Sequence, residues 1–427
     1  MAVACVPGVW AQMSVVRVDG NKVYLDISEA KTAPVKGSTF KVIVSSEPLT
    51  NPQTGKKLGE IYHYSSVGTI TEVQPLYAVG ELKQAEGITV GKQAVWEDVT
   101  PKTAVVAVAP AGAQTPVNVR KKTVYQPVEQ TIISITEADV TAPGARNLVT
   151  LSEDNKLTVF ARGEKDTLTP VLSYTLPTGK KGLSVSAAPV KEGKAQVFVS
   201  VFTPTRGTIT TLVLEDKNGQ LEQVSSLPFF AKELGCGADK KIWAQRPFVL
   251  GTAPGNAREV VYEHAKFSTG EQTFNTRHNW LAGLNFYPVE NENQPNLITT
   301  ASNGSLRVLL KNGRTAESKD LFGSTPSRLL YKQEILKFYP AIQVFGKPGQ
   351  VQFAAVENDT KLGLLSETFG QYKAGKLHFL SYEKGSLNVT DSVELDGVVY
   401  DTACTEQAII AAEVLPDGTS RVVEILK

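Results

Sequence analysis

The stretch Asn293-Gln-Pro-Asn-Leu-Ile-Thr-Thr-Ala-Ser-Asn-Gly-Ser-Leu-Arg-Val-Leu-Leu-Lys-Asn-Gly313 decides the fold of this chain. It consists of an apolar strand, a polar turn and a second apolar strand, which is the pattern of a β-hairpin. The same unit recurs from about residue 131 to the end, with these anchors: Asn147–Leu151 with Leu157–Phe160, Gln196–Val199 with Ile209–Val213, Glu259–Tyr262, Gln352–Ala355 with Leu377–Leu380, and Ala408–Ala411 with Arg421–Leu426.

The spacing of these anchors indicates how the units assemble. With Asn296 of the quoted stretch as the fourth of six anchors, their starts are separated by 49, 63, 37, 56 and 56 residues, and a period of about fifty residues is typical of a four-stranded propeller blade. We therefore predict an all-β protein with a β-propeller over residues 131–427. Six blades are favoured, or seven if the 63-residue interval hides one.

A ring of blades is stable only when its two ends join, because joining removes the open sheet edges. We expect the strand near Val124 to Ile135 to pair with the C-terminal Val422–Leu426.

The N-terminal part of the chain has the pattern of a smaller β module. Ser14–Val18 and Lys22–Ile27 alternate in polarity around Asp19-Gly20-Asn21, a strong hairpin signal. Further short strands follow up to Gly80, so we predict a small β-barrel over residues 12–97. Residues 98–130 are rich in Val, Ala, Pro and Thr, a composition that favours an extended linker.

Two family resemblances accompany these patterns. Residues 293–313 and Asp139–Leu151 resemble blades of the FG-GAP or VCBS-type propeller family. The segments Val15–Asp26, Val35–Val42, Leu49–Glu60 and Val67–Gly80 are similar to the small C-terminal barrel of the flagellar H-ring assembly protein T family. That barrel carries no known chemistry. The resemblance implies a periplasmic or outer-membrane-side setting.

Blades of the FG-GAP family often hold a calcium loop, since Ca²⁺ needs six to eight oxygen ligands around a tight turn. The first blade matches this loop at Asp139, Gly144 and Asn147, but Thr141 and Pro143 occupy the positions between them. The fourth blade offers Glu290, Glu292 and Asn296 as candidate calcium ligands, with Pro288 at the first ligand position and Asn293 in place of the usual Gly. The alternative is a turn in which backbone contacts have replaced the ligands, and we predict no other cofactor.

The first eleven residues, Met1–Ala11, are apolar and uncharged and end in Val9-Trp10-Ala11. This pattern predicts the remnant of a signal peptide; the alternatives are an ordinary first strand or a lipid anchor at Cys5. Removal of Cys5 would leave Cys236 and Cys404, a candidate disulfide in an exported protein. Two separate buried thiols are the alternative. We therefore expect an extracytoplasmic protein, in the periplasm, at the outer membrane or on the cell surface.

Several chemistries are absent from the sequence. Forty-four basic and 43 acidic residues, without blocks of either sign, do not predict nucleic-acid binding, and no apolar run approaches the ~20 residues of a transmembrane helix. There is no Gly-x-Ser-x-Gly elbow, and the four histidines, His63, His264, His278 and His378, have no metal-ligand spacing. We therefore predict no catalytic residues.

The leading hypothesis is a non-enzymatic, exported scaffold or interaction module with a protein partner in the bacterial envelope or at the cell surface. A propeller hydrolase or lyase acting on polysaccharide through residues at the ring's axis is the first alternative, because such a site leaves no local motif. A calcium-dependent adhesion module is the second.

Overall fold

The structure is a computed structural model, and the chain divides into two units, Met1–Pro116 and Val117–Lys427. The structure describes residues 13–27, 36–50, 57–74, 76–82, 88–97, 120–246, 254–287, 295–301, 304–322, 325–331, 334–346, 350–360, 372–383 and 385–427. The predicted signal remnant at residues 1–11, Cys5, Glu290, Glu292 and residues 98–119 of the predicted linker lie outside these ranges.

The N-terminal unit is a closed β-barrel, as its alternating strands predict. Its strands are β1 (Met13–Asp19), β2 (Lys22–Asp26), β3 (Thr39–Thr50), β4 (Lys57–Tyr64), β5 (Gly68–Val73), β6 (Tyr77–Leu82) and β7 (Gln93–Glu97). Six of them form a ring in the order β3-β5-β6-β2-β1-β7, because β3 pairs with both β5 and β7, and β4 extends β3 as a hairpin.

The buried ring of Phe40 lies at the centre of the barrel. It sits directly over Gly68 and Gly80, where any side chain would collide with it. These two glycines therefore let the strands close around one aromatic residue.

The second unit is a six-bladed β-propeller, which confirms the predicted fold class. Each blade is a four-stranded antiparallel sheet, and we number the blades 1 to 6 along the chain. Their strands are the following: β9 (Ile132–Ala138), β10 (Asn147–Ser152), β11 (Lys156–Arg162) and β12 (Leu168–Thr175) in blade 1; β13 (Lys181–Ala188), β14 (Gln196–Thr203), β15 (Thr208–Lys217) and β16 (Gln220–Leu227) in blade 2; β17 (Phe230–Leu234), β18 (Lys241–Gln245), β19 (Ala257–Glu263) and β20 (Lys266–Phe274) in blade 3; β21 (Leu284–Tyr287), β22 (Asn296–Thr300), β23 (Ser305–Leu309) and β24 (Thr315–Leu321) in blade 4; β27 (Gln343–Phe345), β28 (Gln352–Thr360), β29 (Tyr372–Glu383) and β30 (Ser386–Glu394) in blade 5; β31 (Val398–Cys404), β32 (Ala408–Val414), β33 (Ser420–Leu426) and β8 (Lys122–Val124) in blade 6.

The second strands show why the anchor spacing was irregular. They begin at residues 147, 196, 241, 296, 352 and 408, a regular series with intervals of 45 to 56 residues. The anchor Glu259–Tyr262 belongs to β19, the third strand of blade 3, whereas the second strand is the short β18. Among its described residues, the 63-residue interval therefore holds no seventh blade.

Blade 6 is shared between the two ends of the propeller unit. Val124, Thr123 and Lys122 pair antiparallel with Val423, Glu424 and Ile425. The predicted closure against the C-terminus is thus present, but the closing strand is Lys122–Val124. The expected continuation to Ile135 is wrong, because Ile132–Ala138 is β9, the first strand of blade 1. The predicted linker, residues 98–130, accordingly contributes a strand to the ring.

One hairpin is inserted between blades 4 and 5. It consists of β25 (Arg328–Tyr331) and β26 (Glu334–Lys337), which pair only with each other among the described strands. Its Leu329 and Leu336 pack in an apolar cluster with residues of blades 2, 3 and 4, so the hairpin covers one end of these blades.

Three short 3₁₀ turns, Glu164–Asp166, Gly237–Asp239 and Leu281–Gly283, complete the secondary structure of the described ranges. No helix in this part of the chain is long and apolar enough to cross a membrane.

Candidate functional site

The axis of the propeller is where ligands of a ring-shaped fold would converge, and it is lined by the first strand of each blade. Two small cavities lie along it, each of about 10 Å³, which is room for a single water molecule. One lies at the beginnings of the first strands, beside Ile133, Leu183, Phe230 and Tyr400. The other lies toward their ends, beside Leu234, Asn285 and Thr402.

A buried carboxylate on β31, that of Asp401, occupies the space between these cavities. Its Oδ2 accepts hydrogen bonds from the Ser134 hydroxyl at 2.6 Å and the Ile135 N–H at 3.3 Å. Its Oδ1 accepts the N–H groups of Ala341 at 3.1 Å and Thr402 at 2.9 Å. Asp401 thus joins blade 6 to blade 1 and to the residues entering blade 5.

A second acid, Glu233 on β17 of blade 3, forms a similar junction. Both of its carboxylate oxygens accept from the Thr136 hydroxyl of blade 1, at 2.8 and 2.6 Å. Its Oε2 also accepts the Ala187 N–H of blade 2 at 2.9 Å, and the Lys240 ammonium lies 3.8 Å from Oε1. The carboxylate is therefore engaged by three partners beside the second cavity.

The Lys232 side chain also points into the axis, and it is buried. Its Nζ donates to the Ala282 carbonyl at 3.3 Å and lines both cavities together with Asp401. A buried ammonium near a buried carboxylate is a combination that a single water could bridge. The polar groups of the axis therefore link the blades to one another. The space left between them has room for single water molecules only.

The axis is blocked at the end of the first strands by the disulfide Cys236–Cys404. Cys236 follows β17 of blade 3, and Cys404 ends β31 of blade 6, so the bond joins opposite sides of the six-bladed ring, with a Cα–Cα distance of 5.0 Å. The backbone of Gly237 lies against Glu406 beside it, too close for any side chain. The two candidate cysteines are therefore brought together at this mouth.

Apolar rings fill the opposite mouth. Phe230, at the start of β17, contacts the Trp280 ring at a centroid distance of 4.8 Å and the Phe338 ring at 6.2 Å. Phe338 directly follows the inserted hairpin, whose leucines belong to the same cluster. Side chains and a hairpin therefore close this end.

The candidate calcium loops have other contacts in the described residues. In the first blade, Asp139 accepts the N–H groups of Gly144 and Arg146, at 2.7 and 2.9 Å, and Asn147 Oδ1 accepts the N–H and hydroxyl of Thr141. In the fourth blade, Asn296 Oδ1 accepts the Lys311 N–H at 2.7 Å, while Glu290 and Glu292 lie outside the described residues. No group of three or more His, Cys, Asp or Glu side chains in the described ranges is arranged to hold a metal.

A cluster of charged side chains lies at the seam where blade 6 meets blade 1. Glu137 and Glu424 face Arg162, and the Tyr125 hydroxyl donates to Glu424 Oε2 at 3.0 Å. Arg146 lies 3.4 Å from Glu137 and 3.9 Å from Glu424. Burial raises the pKa of the Tyr125 phenol to about 12, and the charge of Glu424 adds to the rise. The cluster joins the residues that follow β8 to the C-terminal strand.

The three histidines of the propeller lie on separate elements, and His63 lies on β4 of the barrel. His264 lies in the turn between β19 and β20 and His278 in the segment after β20, both at positions with positive φ. His378 lies on β29 of blade 5, away from the axis. The axial groups that do converge, Asp401 and Glu233, were not identified from the sequence. Their partners in other blades lie 46 to 267 residues away, so only a blade alignment with correct strand registers could have found them.

No family model matches the chain, and no curated protein matches it. Among solved structures, the chain is similar to the WD40 β-propeller domain of Doa1, with 11% identity, a TM-score of 0.36, and coverage of 71% of this chain and 97% of that chain. The FG-GAP or VCBS resemblance and the resemblance of the barrel to the H-ring protein remain predictions.

Proposed function

We propose that this protein is a non-enzymatic, exported interaction module of the bacterial cell envelope or surface. A propeller fold suggests a protein-interaction module, and the observation that carries the proposal is the filled axis. The buried carboxylate of Asp401 and the partly buried one of Glu233 bond across it, a disulfide crosses one mouth and aromatic side chains fill the other. The loops and outer strands of the blades therefore offer the surface on which partners bind.

The same observation weighs against a hydrolase or lyase. A polysaccharide-processing site needs an open cleft with carboxylates free to exchange protons with the substrate. Asp401 and Glu233 instead accept from neighbouring blades with both oxygens, next to cavities that hold about one water each. A role as a scaffold requires no rearrangement of this core.

Export is supported by the cysteine chemistry. A disulfide between Cys236 and Cys404 persists where the surroundings are oxidising, as in the periplasm or on the cell surface. The apolar Met1–Ala11 and the resemblances to FG-GAP or VCBS propellers and to the H-ring protein's barrel point to the same compartment.

We assign the docking role to the barrel. Five of the eight exposed large apolar side chains among the described residues lie in it, although it is the smaller unit, and Leu76 and Val90 are 66% and 64% exposed. A contiguous exposed apolar patch is typical of surfaces that bind other proteins, and we place such a patch around the neighbouring Leu76 and Tyr77. An envelope protein is the partner that this proposal predicts.

Site-directed photocrosslinking in the organism that makes the protein tests this proposal. A photoreactive phenylalanine at position 76 should give a discrete crosslinked adduct in the envelope fraction. The same residue at position 171, an exposed valine of the propeller, is the matched control. Recovery of the protein only in the cytoplasm, or equal and diffuse crosslinking from both positions, would overturn the proposal.

A further inference from the structure

Three adjacent strands of blade 5 place a serine, a histidine and a glutamate in one hydrogen-bonded chain. Ser392 Oγ on β30 lies 2.9 Å from His378 Nδ1 on β29, and His378 Nε2 lies 2.8 Å from Glu357 Oε2 on β28. Within the sheet, His378 pairs with Ser392 on one side and with Ala355 on the other. Glu357 lies two residues beyond Ala355 on β28. All three side chains therefore share one face of the sheet.

The arrangement fixes which nitrogen of His378 can act as a base. An ionised carboxylate only accepts hydrogen bonds, so Glu357 selects the form of His378 that carries its proton on Nε2. Nδ1 then presents its lone pair to the hydroxyl of Ser392. This is the relation of nucleophile, base and orienting carboxylate that activates a serine.

Burial separates the roles of the three groups. His378 is only 8% exposed and packs edge-on against the Phe322 ring of the neighbouring blade, at a centroid distance of 5.3 Å. Ser392 lies on the outermost strand of blade 5 and is exposed. The base is thus held in place and shielded, while the hydroxyl that it activates faces solvent.

We propose that Ser392 is a nucleophilic serine that is modified by small, activated acyl esters, with His378 as its base and Glu357 as a positioning residue. In this step Ser392 Oγ bonds to the carbonyl carbon of the ester, and the hydroxyl proton moves to His378 Nδ1. The bond from that carbon to the leaving-group oxygen breaks, and the leaving group takes the proton from His378. The products are an O-acyl serine and an alcohol.

The surroundings of Ser392 predict that the acyl group stays attached. The Ser392 N–H donates to Asp391 Oδ1 at 2.8 Å, so it is engaged and does not point at a developing oxyanion. Lys376 lies on the same face, but its ammonium is paired with Glu394 at 2.7 Å. Without preorganised donors, only an activated ester, whose leaving group departs readily, acylates the serine, and attack by water on the unactivated O-acyl serine is slow. Ser392 is therefore a site of covalent modification, which is compatible with a non-enzymatic interaction module and independent of it.

Labelling with a fluorophosphonate probe tests the proposal, because this probe transfers its phosphonyl group to activated serines with loss of fluoride. Intact-protein and peptide mass spectrometry should find one adduct, at Ser392, in the full chain. The variant Ser392→Ala should lose the adduct. Ser386→Ala is the matched control, since Ser386 is an exposed serine on the same strand, and should label like the unsubstituted protein.

Two further variants test how Ser392 is activated. His378→Gln should slow labelling about 100-fold, the size of a general-base contribution, and its melting curve shows whether blade 5 remains folded. Glu357→Gln should slow the rate while the final extent of labelling is unchanged, which a merely structural effect would not produce. Labelling of the unsubstituted protein that is no faster than that of Ser392→Ala, or that falls on other residues, would overturn the proposal.

Discussion

Single carboxylates connect distant parts of the propeller. Asp401 accepts four hydrogen bonds from residues of three parts of the ring, and Glu233 connects blades 1, 2 and 3. Hydrogen bonds to a charged group are worth about 1.5–3 kcal/mol each, and leaving buried donors unpaired costs a similar amount. These residues therefore determine how the first strands of the blades are spaced around the axis.

The variant Asp401→Asn should lower the free energy of unfolding by about 2–4 kcal/mol, because the Asn amide group donates where the carboxylate accepts from backbone N–H groups. Urea denaturation measures this loss. The exposed Asp239→Asn, at a turn beside the ring's mouth, is the control and should change stability little. Equal stability of the two variants would show that the Asp401 contacts do not hold the axis together.

Chelation of calcium should leave the melting temperature of the propeller unchanged. In the loop that the family pattern marks in blade 1, Asp139 and Asn147 already accept from Gly144, Arg146 and Thr141. Oxygens engaged in this way are not free to replace the water shell of Ca²⁺. Differential scanning calorimetry with EDTA and with added calcium makes the comparison, and a lower melting temperature in EDTA would favour the adhesion hypothesis.

Among the strands, the predictable ones are those with continuous apolar patterns. The second strands of blades 1, 4, 5 and 6 were recognisable because each contains four or more consecutive apolar or β-branched residues, as in Ala408–Ala412, and that of blade 2 because Val197–Phe202 is apolar except for Ser200. β18 was missed because Lys241-Ile-Trp-Ala-Gln245 has polar residues at both ends and only three apolar ones. β8 was missed because a three-residue strand has no period, and its pairing with β33 depends on contacts about 300 residues away.

Tyr125, the residue after β8, donates a hydrogen bond to Glu424 of β33. Because this phenol is partly buried, the stability of the seam depends on pH. The folded pKa of Tyr125, about 12, lies above its ordinary value of 10.0. The stabilisation from keeping the phenol neutral is therefore complete below pH 10 and is lost as the pH rises toward 12.

The test is the difference in urea midpoint between the unsubstituted protein and Tyr125→Phe. Phenylalanine does not ionise, so the advantage of the unsubstituted protein should be larger at pH 9 than at pH 11. A difference that is the same at both pH values would contradict the burial of this phenol against Glu424.

For the molecule as a whole, two connections hold the ring of blades together. The first is the shared blade 6, and the second is the disulfide between blades 3 and 6, which spans 168 residues of sequence. The architecture of barrel and propeller was predictable from strand periodicity. The filled axis was not, because it depends on which residues of different blades face each other.

Replacing both cysteines, as in Cys236→Ala with Cys404→Ala, should lower the free energy of unfolding by about 2–5 kcal/mol, since the bond restricts a long loop in the unfolded chain. Urea denaturation measures the loss, and the unsubstituted protein under reducing conditions should show a similar one. If the oxidised and reduced proteins unfold at the same urea concentration, the bond does not stabilise the ring.

The most direct test of the closed six-bladed ring is thermal unfolding of the chain that lacks residues 421–427. This deletion removes nearly all of β33, the strand that pairs with both β32 and β8. A chain lacking only Lys427 is the control for the contacts of that side chain with the Thr405 and Glu406 carbonyls, because it keeps every residue of the strand. We predict that the longer deletion lowers the melting temperature and broadens the transition of the whole propeller, whereas an unchanged melting profile would contradict closure of the ring through blade 6.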